Sequence, residues 1–206
     1  MIRRLLRNRH GASAAEFAMV LPLLLLFIFG IIDAGRFLWA FNRAEKATQV
    51  GARVAVVTDV IPGGLVTADY VNVSGLTQGD VIPASAFGKL SCSRTACDPC
   101  VGTCPDPGTI NSAAFDKIAT RMRQIKPDIN DANIKIEYRG SGLGYAGDPN
   151  GMDISPIVTV RLVTTPAQTA LKFKPLTTMF LGGISFTMPE FAASLTAEDA
   201  SGTQSN

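Results

Sequence analysis

Histidine is almost absent from this sequence of 206 residues, with His10 as its one example. His10 lies in a basic N-terminal segment, residues 1–11, that contains no acidic residue. If this segment is removed by proteolysis, the mature chain has no histidine, which excludes Ser-His-Asp and Cys-His catalysis and histidine metal ligands. We therefore expect no catalytic residue, no metal site and no cofactor, although carboxylate chemistry needs no histidine.

A strong net charge is also lacking. The formal charge is +2, and 4 of the 19 basic residues lie in residues 1–11. Removal of this segment leaves 15 basic residues against 17 acidic ones, a net charge of −2. A nearly neutral mature chain gives no reason to expect a nucleic-acid partner.

Charged and strongly polar side chains are missing from Phe17 to Ile32, and helix formers and aromatics flank this run. A helix needs roughly 20 mostly apolar residues to cross a bilayer, so the sequence predicts a transmembrane helix with Glu16 and Asp33 near its ends. The preceding arginines should stay in the cytoplasm, which places the chain after residue 41 in the periplasm. A cleaved signal peptide is the alternative, but its apolar run is shorter and Asp33 makes a poor cleavage site.

The residues at the start of this run follow the order expected at a peptidase cleavage site. A cut after Gly11 makes Ala12 the first residue and Glu16 the fifth, followed by Phe17. This order resembles a type IV prepilin peptidase site. The wider pattern of residues 7–57 is similar to the TadE-like pseudopilins of tight-adherence (Flp) pilus systems, and it consists of Gly-Ala-Ser-Ala-Ala-Glu-Phe-Ala from residue 11, Leu21-Pro22, Gly30-Ile31-Ile32-Asp33, Gly35-Arg36 and the stretch 47–55.

The resemblance implies a minor pseudopilin of the inner membrane that a prepilin peptidase processes after Gly11. It also implies methylation, a role in pilus assembly, adhesion, biofilm formation or secretion, and entry into an extracellular pilus as one outcome. The partners would be the peptidase, other pilins or pseudopilins, pilus assembly platform proteins and the lipid bilayer. The alternative is a signal-anchored periplasmic enzyme or binding domain of unknown ligand.

The position of Glu16 at the lipid boundary is energetically unfavourable for an unpaired carboxylate. A carboxylate at full depth costs roughly 2.5–3.5 kcal/mol or more unless it is paired. The candidate partner is the α-amine of Ala12 on a neighbouring copy, which exists only after cleavage. The alternatives are that Glu16 reaches the head groups or interacts with the helix dipole.

Two further features of the N-terminal helix, predicted over residues 12–59, suggest packing contacts. Asp33 and Arg36 lie one turn apart and can pair with each other, face the solvated interface or pair between subunits. Small residues recur at spacings of three and four and predict close packing against the chain's own domain, other subunits or both. The small residues that we name as packing or assembly candidates are Ala44, Ala47, Gly51 and Ala55.

The rest of the chain predicts an α+β fold, in which the long transmembrane helix continues into a small antiparallel sheet domain (60–200) with helices on one face. Residues 201–206 form a polar tail. The predicted elements are strands at 66–73 and 78–86, a helix at 111–125, strands at 133–139 and 156–165, a helix at 169–181 interrupted by Pro175, and a last strand over 184–188 and 191–197 with a kink at Pro189.

Four cysteines lie in the predicted loop 92–104, at Cys92, Cys97, Cys100 and Cys104. Outside the cytoplasm thiols oxidise, so we expect two disulfides, and the sequence leaves all three pairings open. A four-cysteine zinc or iron–sulfur site and a redox motif at Cys97–Cys100 are the alternatives.

Glycines at 142, 144 and 147 satisfy the letters of a dinucleotide-binding motif. A turn follows them instead of the helix that such a site needs, so we interpret 140–155 as a hairpin connection. Oxygens of Asp148, Asn150 and Asp153 offer Ca²⁺ ligands as an alternative, without the spacing of an EF-hand.

Overall fold

The computed structural model describes residues 12–149, 151–164, 171–178 and 182–197. The chain divides into two units. We call residues 1–41 and 172–186 the anchor unit, and residues 42–171 and 187–206 the sheet unit. The leader 1–11 and the tail 201–206 lie outside the described residues.

Helix α1 runs without interruption from Ala12 to Ala55, over 44 residues. Pro22 lies inside it, and removes one backbone N–H donor from the helix. The helix ends four residues before the predicted boundary at 59. The N–H of Val57 bonds to the carbonyl of Val54, which tightens the last turn.

The sheet unit contains a four-stranded antiparallel sheet in the order β1-β2-β3-β6. Its strands are β1 Lys89–Cys92, β2 Ile134–Arg139, β3 Ile157–Leu162 and β6 Phe191–Thr196. In the register, Ile136 lies opposite Cys92 on one side and Val160 on the other. Alternation along β2 and β3 buries the predicted apolar residues on one face, namely Ile134, Ile136, Tyr138, Val158, Val160 and Leu162.

Helix α2, Ser112–Ile125, closely matches the prediction. Its N-cap is Asn111, whose side chain accepts a hydrogen bond from the N–H of Ala114 at 3.0 Å. This bond satisfies one of the donors that a helix start leaves free. Its apolar face is buried at Ala114, Phe115, Ile118 and Met122, whereas Ile125 at the end of the helix is half-buried.

The part of α1 in the sheet unit lies against both α2 and the sheet. A Cβ placed on Gly51 would be 2.9 Å from Met122 of α2 and 3.1 Å from Val160 of β3. At the end of α2, Arg43 Nε donates to the carbonyl of Ile125 at 2.7 Å. The predicted α+β class, with helices on one face of a small antiparallel sheet, is therefore confirmed.

Several local predictions were wrong. Residues 66–73 and 78–86 are not strands, because their backbone follows turns, with 3-10 turns at Val73–Gly75 and Ala84–Ala86 and an isolated bridge at Val81. Strand β1 was not predicted. The conformation of these segments depends on distant residues, because the N–H of Ile82, for example, bonds to the carbonyl of Gly144. The local sequence pattern therefore does not predict it.

The helix predicted over 169–181 is wrong for residues 171–177, which form a strand and a turn, whereas Thr178 is helical. Residues 165–170 and 179–181 lie outside the described residues. Strand β4, Lys172–Phe173, pairs with β5, Phe186–Thr187, in a separate two-stranded sheet. The predicted last strand is therefore two strands, β5 and β6, in different sheets. Pro175 is incompatible with a helix interior, which agrees with the extended chain before it.

Candidate functional site

The N-terminal part of α1 presents an apolar surface. From Phe17 to Ile32 most large side chains are exposed, with Phe17 at 62% and Met19 at 84%, and only Leu21 and Phe29 are half-buried. In its most apolar window, mean hydropathy is 2.5 and none of the residues is buried. Within the part of the chain that the structure describes, α1 is the one helix whose length and composition suit a membrane span.

The predicted processing residues lie at the start of this helix. Gly11 is outside the described residues, and α1 begins at Ala12. Glu16 and Phe17 are exposed. Among the described residues, the Glu16 carboxylate has neither a hydrogen-bond nor an ion-pair partner. Within residues 12–41 and the other described parts of the anchor unit, no group neutralises this carboxylate.

Asp33, at the other end of the apolar run, is fully engaged within the anchor unit. Its carboxylate accepts hydrogen bonds from the backbone N–H groups of Leu176 at 2.7 Å and Thr177 at 2.9 Å. The Thr177 hydroxyl donates at 3.0 Å and Arg36 Nη1 at 3.1 Å. We call these four residues the Asp33 clasp. The i,i+3 pair with Arg36 was among the predicted arrangements, whereas the donors from 176 and 177 were not.

Aromatic packing extends the clasp by one helical turn. The ring of Phe173 in β4 packs edge-on against Phe37, with centroids 5.4 Å apart. The guanidinium carbon of Arg36 lies 5.5 Å from the Phe173 centroid, within the range of a cation–π contact. Phe173 is only 8% exposed. These contacts hold β4 against α1. An intersubunit role for Asp33 or Arg36 stays a prediction.

The small residues of α1 pack inside the sheet unit. Ala44 and Ala47 are 0% exposed, Ala55 is 2% exposed, and Gly51 is buried. This is the own-domain packing considered above. Contacts with another subunit through these side chains stay a prediction. Because the side chains are buried in their own chain, another subunit would first meet the opposite, exposed face of the helix.

The four cysteines form the disulfides Cys92–Cys97 and Cys100–Cys104. A turn brings the first pair together, because the N–H of Ser93 bonds to the carbonyl of Ala96 at 2.8 Å. One of the three open pairings is thereby selected. It leaves no thiolate for a metal, and it places Cys97 and Cys100 in different bridges, so they do not form a redox disulfide.

Ion pairs attach this loop to the rest of the sheet unit. Arg94 makes a two-pronged contact with Asp116 of α2, at 2.7 and 2.8 Å. Lys135 of β2 donates to both oxygens of Asp98 at 2.8 Å. The Lys135 ammonium lowers the pKa of the Asp98 carboxyl below its usual value. The loop is thus held by covalent and electrostatic links.

The connection 140–155 contains a buried carboxylate that binds backbone donors. Asp153, 6% exposed, accepts from the N–H groups of Tyr70 at 2.8 Å, Gly147 at 2.9 Å and Asp148 at 3.0 Å. Donors of this kind occupy the oxygens that a Ca²⁺ ion would need. Burial, with a smaller contribution from Asp153, raises the pKa of Tyr70 to about 12.

The glycines of this connection serve its own turns. Gly144 has φ +121°, and a Cβ there would overlap the carbonyl oxygen of Asp153. The described residues 148–149 and 151–156, which follow these glycines, are not helical. The sequence matches the dinucleotide-binding motif, but the structure lacks the helix that such a site needs. Asn150 lies outside the described residues, and those described contain no cluster of His, Cys, Asp or Glu suited to a metal ion.

Comparison with known proteins identifies the N-terminal segment. A family model described as TadE-like protein matches residues 11–53. Residues 11–53 are therefore similar to TadE-like proteins, and we call them the TadE-like segment. The segment starts at Gly11 and includes Glu16, Asp33 and Gly51, and it covers almost all of α1. No curated protein and no solved structure matches the chain significantly.

The TadE-like segment agrees with the resemblance found in the sequence. It suggests a protein associated with a Tad pilus, and the one long apolar helix among the described residues suggests single-pass membrane anchoring. The sheet unit beyond residue 53 lies outside the matched segment.

Proposed function

We propose that this chain is a minor pseudopilin of a tight-adherence (Flp) pilus or a related secretion system, and that a prepilin peptidase removes its leader after Gly11. The observation that carries the proposal is the TadE-like match, which begins at Gly11 and continues through the exposed apolar surface of α1. Methylation of the new N-terminus, adhesion and biofilm formation belong to the same proposal.

The proposed orientation follows from charge. Four arginines precede α1, in a segment without acidic residues. The positive-inside bias then keeps the leader in the cytoplasm and places the sheet unit in the periplasm. The two disulfides support this orientation, because such bonds persist in an oxidising compartment.

Glu16 supplies the proposed assembly mechanism. Its exposed carboxylate has no partner among the described residues of its own chain. The α-amine that cleavage creates on Ala12 of an adjacent subunit would neutralise it. Since a buried ion pair is costly to break by removing one partner, the pair would make incorporation depend on both groups.

Processing is tested first by the N-terminal residue of the native protein. We expect Ala12, and we expect Gly11→Leu to accumulate the full-length form. Gly30→Leu is the matched control, since it makes the same change within α1 and should leave cleavage intact. A native N-terminus at Met1 would contradict processing, and one beyond residue 30 would support a cleaved signal peptide instead.

The role of Glu16 is tested by Glu16→Gln, which keeps the shape of the side chain and removes its charge. The variant should insert and be cleaved but should be depleted from the assembled fraction that co-purifies with the pilus machinery. Glu45→Gln is the control, an exposed glutamate in the same helix. Equal recovery of processed Glu16→Gln and wild type would refute the pairing, because a carboxylate that only reaches the head groups tolerates this change.

A further inference from the structure

The depth of Asp33 in a membrane is set by its position on α1. Glu16 and Asp33 are 17 residues apart, which at a rise of about 1.5 Å per residue is about 26 Å along the axis. A bilayer core is about 30 Å thick, with a head-group layer of about 5–7 Å on each side. With the apolar run in the core, Asp33 lies at the boundary between the core and the head groups.

The Asp33 clasp brings residues 172–178 to the same depth. Leu176 and Thr177 donate directly to the Asp33 carboxylate. Phe173 of β4 packs on Phe37, which lies one turn, about 6 Å, further along the helix. Strand β4 is therefore held at the level of the head-group layer.

Strand β5 follows from this placement, because it is hydrogen-bonded to β4 and paired strands are about 4.8 Å apart. Phe186 of β5 and the nearby Ile184 are 56% and 52% exposed. Strand β4 is covered by α1 through Phe173, whereas both residues of β5 are exposed. The apolar side chains of Ile184 and Phe186 are therefore not covered by the described residues of the chain.

The charge of the segment agrees with a membrane surface. Between Lys172 and Phe186 the sequence contains two lysines, Lys172 and Lys174, and no acidic residue. Lys174 is exposed. Basic side chains beside apolar ones suit the boundary between anionic head groups and acyl chains.

We infer that the anchor unit makes a second membrane contact, in which Ile184 and Phe186 insert into phospholipid at the boundary where α1 leaves the bilayer, at a depth set by the Asp33 clasp. The inference rests on the proposed membrane anchoring by α1. It identifies the lipid of one leaflet as the occupant, because the segment is continuous with the membrane-spanning surface through Asp33 and Phe37.

The test uses the full chain, with Trp39→Phe to remove its single tryptophan. A tryptophan is then introduced by Phe186→Trp or, separately, by Ile184→Trp. Each variant is reconstituted in vesicles of phosphatidylethanolamine and phosphatidylglycerol, with or without lipid brominated near the carbonyl end of its acyl chains. Since the brominated lipid is present in both leaflets, the orientation of the protein does not affect the result.

An interfacial side chain lies about 5–10 Å into the head-group and acyl boundary. We therefore expect bromine to reduce the emission of both variants below that in vesicles without brominated lipid, because the bromine atoms lie at the depth of the inserted ring. Val101→Trp is the control, since Val101 is a 63% exposed residue of the sheet unit, and its emission should not change. Adding Asp33→Ala to Phe186→Trp should lessen the quenching by removing the acceptor that holds the segment.

Flotation of the vesicles separates this inference from the anchoring on which it rests. Protein that does not float refutes anchoring by α1. Protein that floats but shows no quenching at 184 and 186 refutes the second contact alone. Blue-shifted emission without quenching means that protein, such as a second copy, covers the segment, and also overturns the inference. Quenching that Asp33→Ala leaves unchanged refutes the role of the clasp.

Discussion

Gly51 allows a direct test of how α1 packs in the sheet unit. A Cβ at this position would lie 2.9 Å from Cγ and Sδ of Met122 and 3.1 Å from Cγ1 of Val160. Ordinary carbon contacts are about 3.5–4.0 Å. Both neighbours are 0% exposed, so they have little room to move. The change Gly51→Val introduces a Cβ and two methyl groups into this contact.

The expected magnitude is the difference between two effects. Overpacking a buried site typically costs about 1–3 kcal/mol. Valine is better than glycine in a helix interior by only a few tenths of a kcal/mol. Because the introduced atoms meet α2 and the sheet together, we expect Gly51→Val to lower the free energy of unfolding of the sheet unit by about 2–3 kcal/mol.

The measurement is urea unfolding of the full chain in detergent micelles, followed by pulse proteolysis of the sheet unit. Gln49→Val is the matched control, at an exposed position of the same helix, and should change stability by no more than about 0.5 kcal/mol. Adding Met122→Ala should give a loss smaller than the sum of the single changes, by about 0.5–3 kcal/mol. Equal stability of the two valine variants, or strict additivity with Met122→Ala, would refute the packing described here.

Three further predictions concern the sheet unit. Tyr138→Phe removes the hydroxyl that accepts from the N–H of Ile61 at 3.0 Å, so thermal unfolding should show a loss of about 1–3 kcal/mol, whereas the exposed Tyr145→Phe should be nearly silent. Because Lys135 lowers the pKa of Asp98, this pair should stabilise the fold above the ordinary aspartate pKa of about 3.9 and lose that contribution as pH falls toward the lowered value. An NMR titration of Asp98 should show its midpoint rising in Lys135→Ala, and an unchanged midpoint would count against the pair. Digestion with trypsin and a protease specific for aspartate, under non-reducing conditions, should yield fragments linked as the two disulfides require, and any other linkage would contradict the structure.

The elements that could be predicted from the sequence are those whose burial repeats with a local period. In β2, Ile134, Ile136 and Tyr138 alternate with Lys135 and Glu137, and a period of two identifies a strand with one buried face. The face of α2 repeats with the period of a helix. Neither inference needs knowledge of the packing partner, because any apolar partner imposes the same pattern.

Residues 60–110 show why the rest could not be predicted. The N–H of Gly79 bonds to the carbonyl of Ala146, and the N–H of Asn111 to that of Ile61. These bonds connect irregular segments that are distant in the chain, and they leave no periodic pattern in either of them. Strand β1 has only 4 residues, too few for alternation to be distinguished from chance.

The sequence by itself determined that α1 is a long helix with an apolar surface from Phe17 to Ile32, because a charge-free run of this length suits a membrane-spanning helix. It also determined the TadE-like character of that helix and the faces of β2 and β3. Only the tertiary structure decided which donors satisfy Asp33, since Leu176 and Thr177 are 143 and 144 residues away. The sequence shows that a carboxylate at the end of the apolar run requires hydrogen-bond donors, but the fold determines which residues supply them.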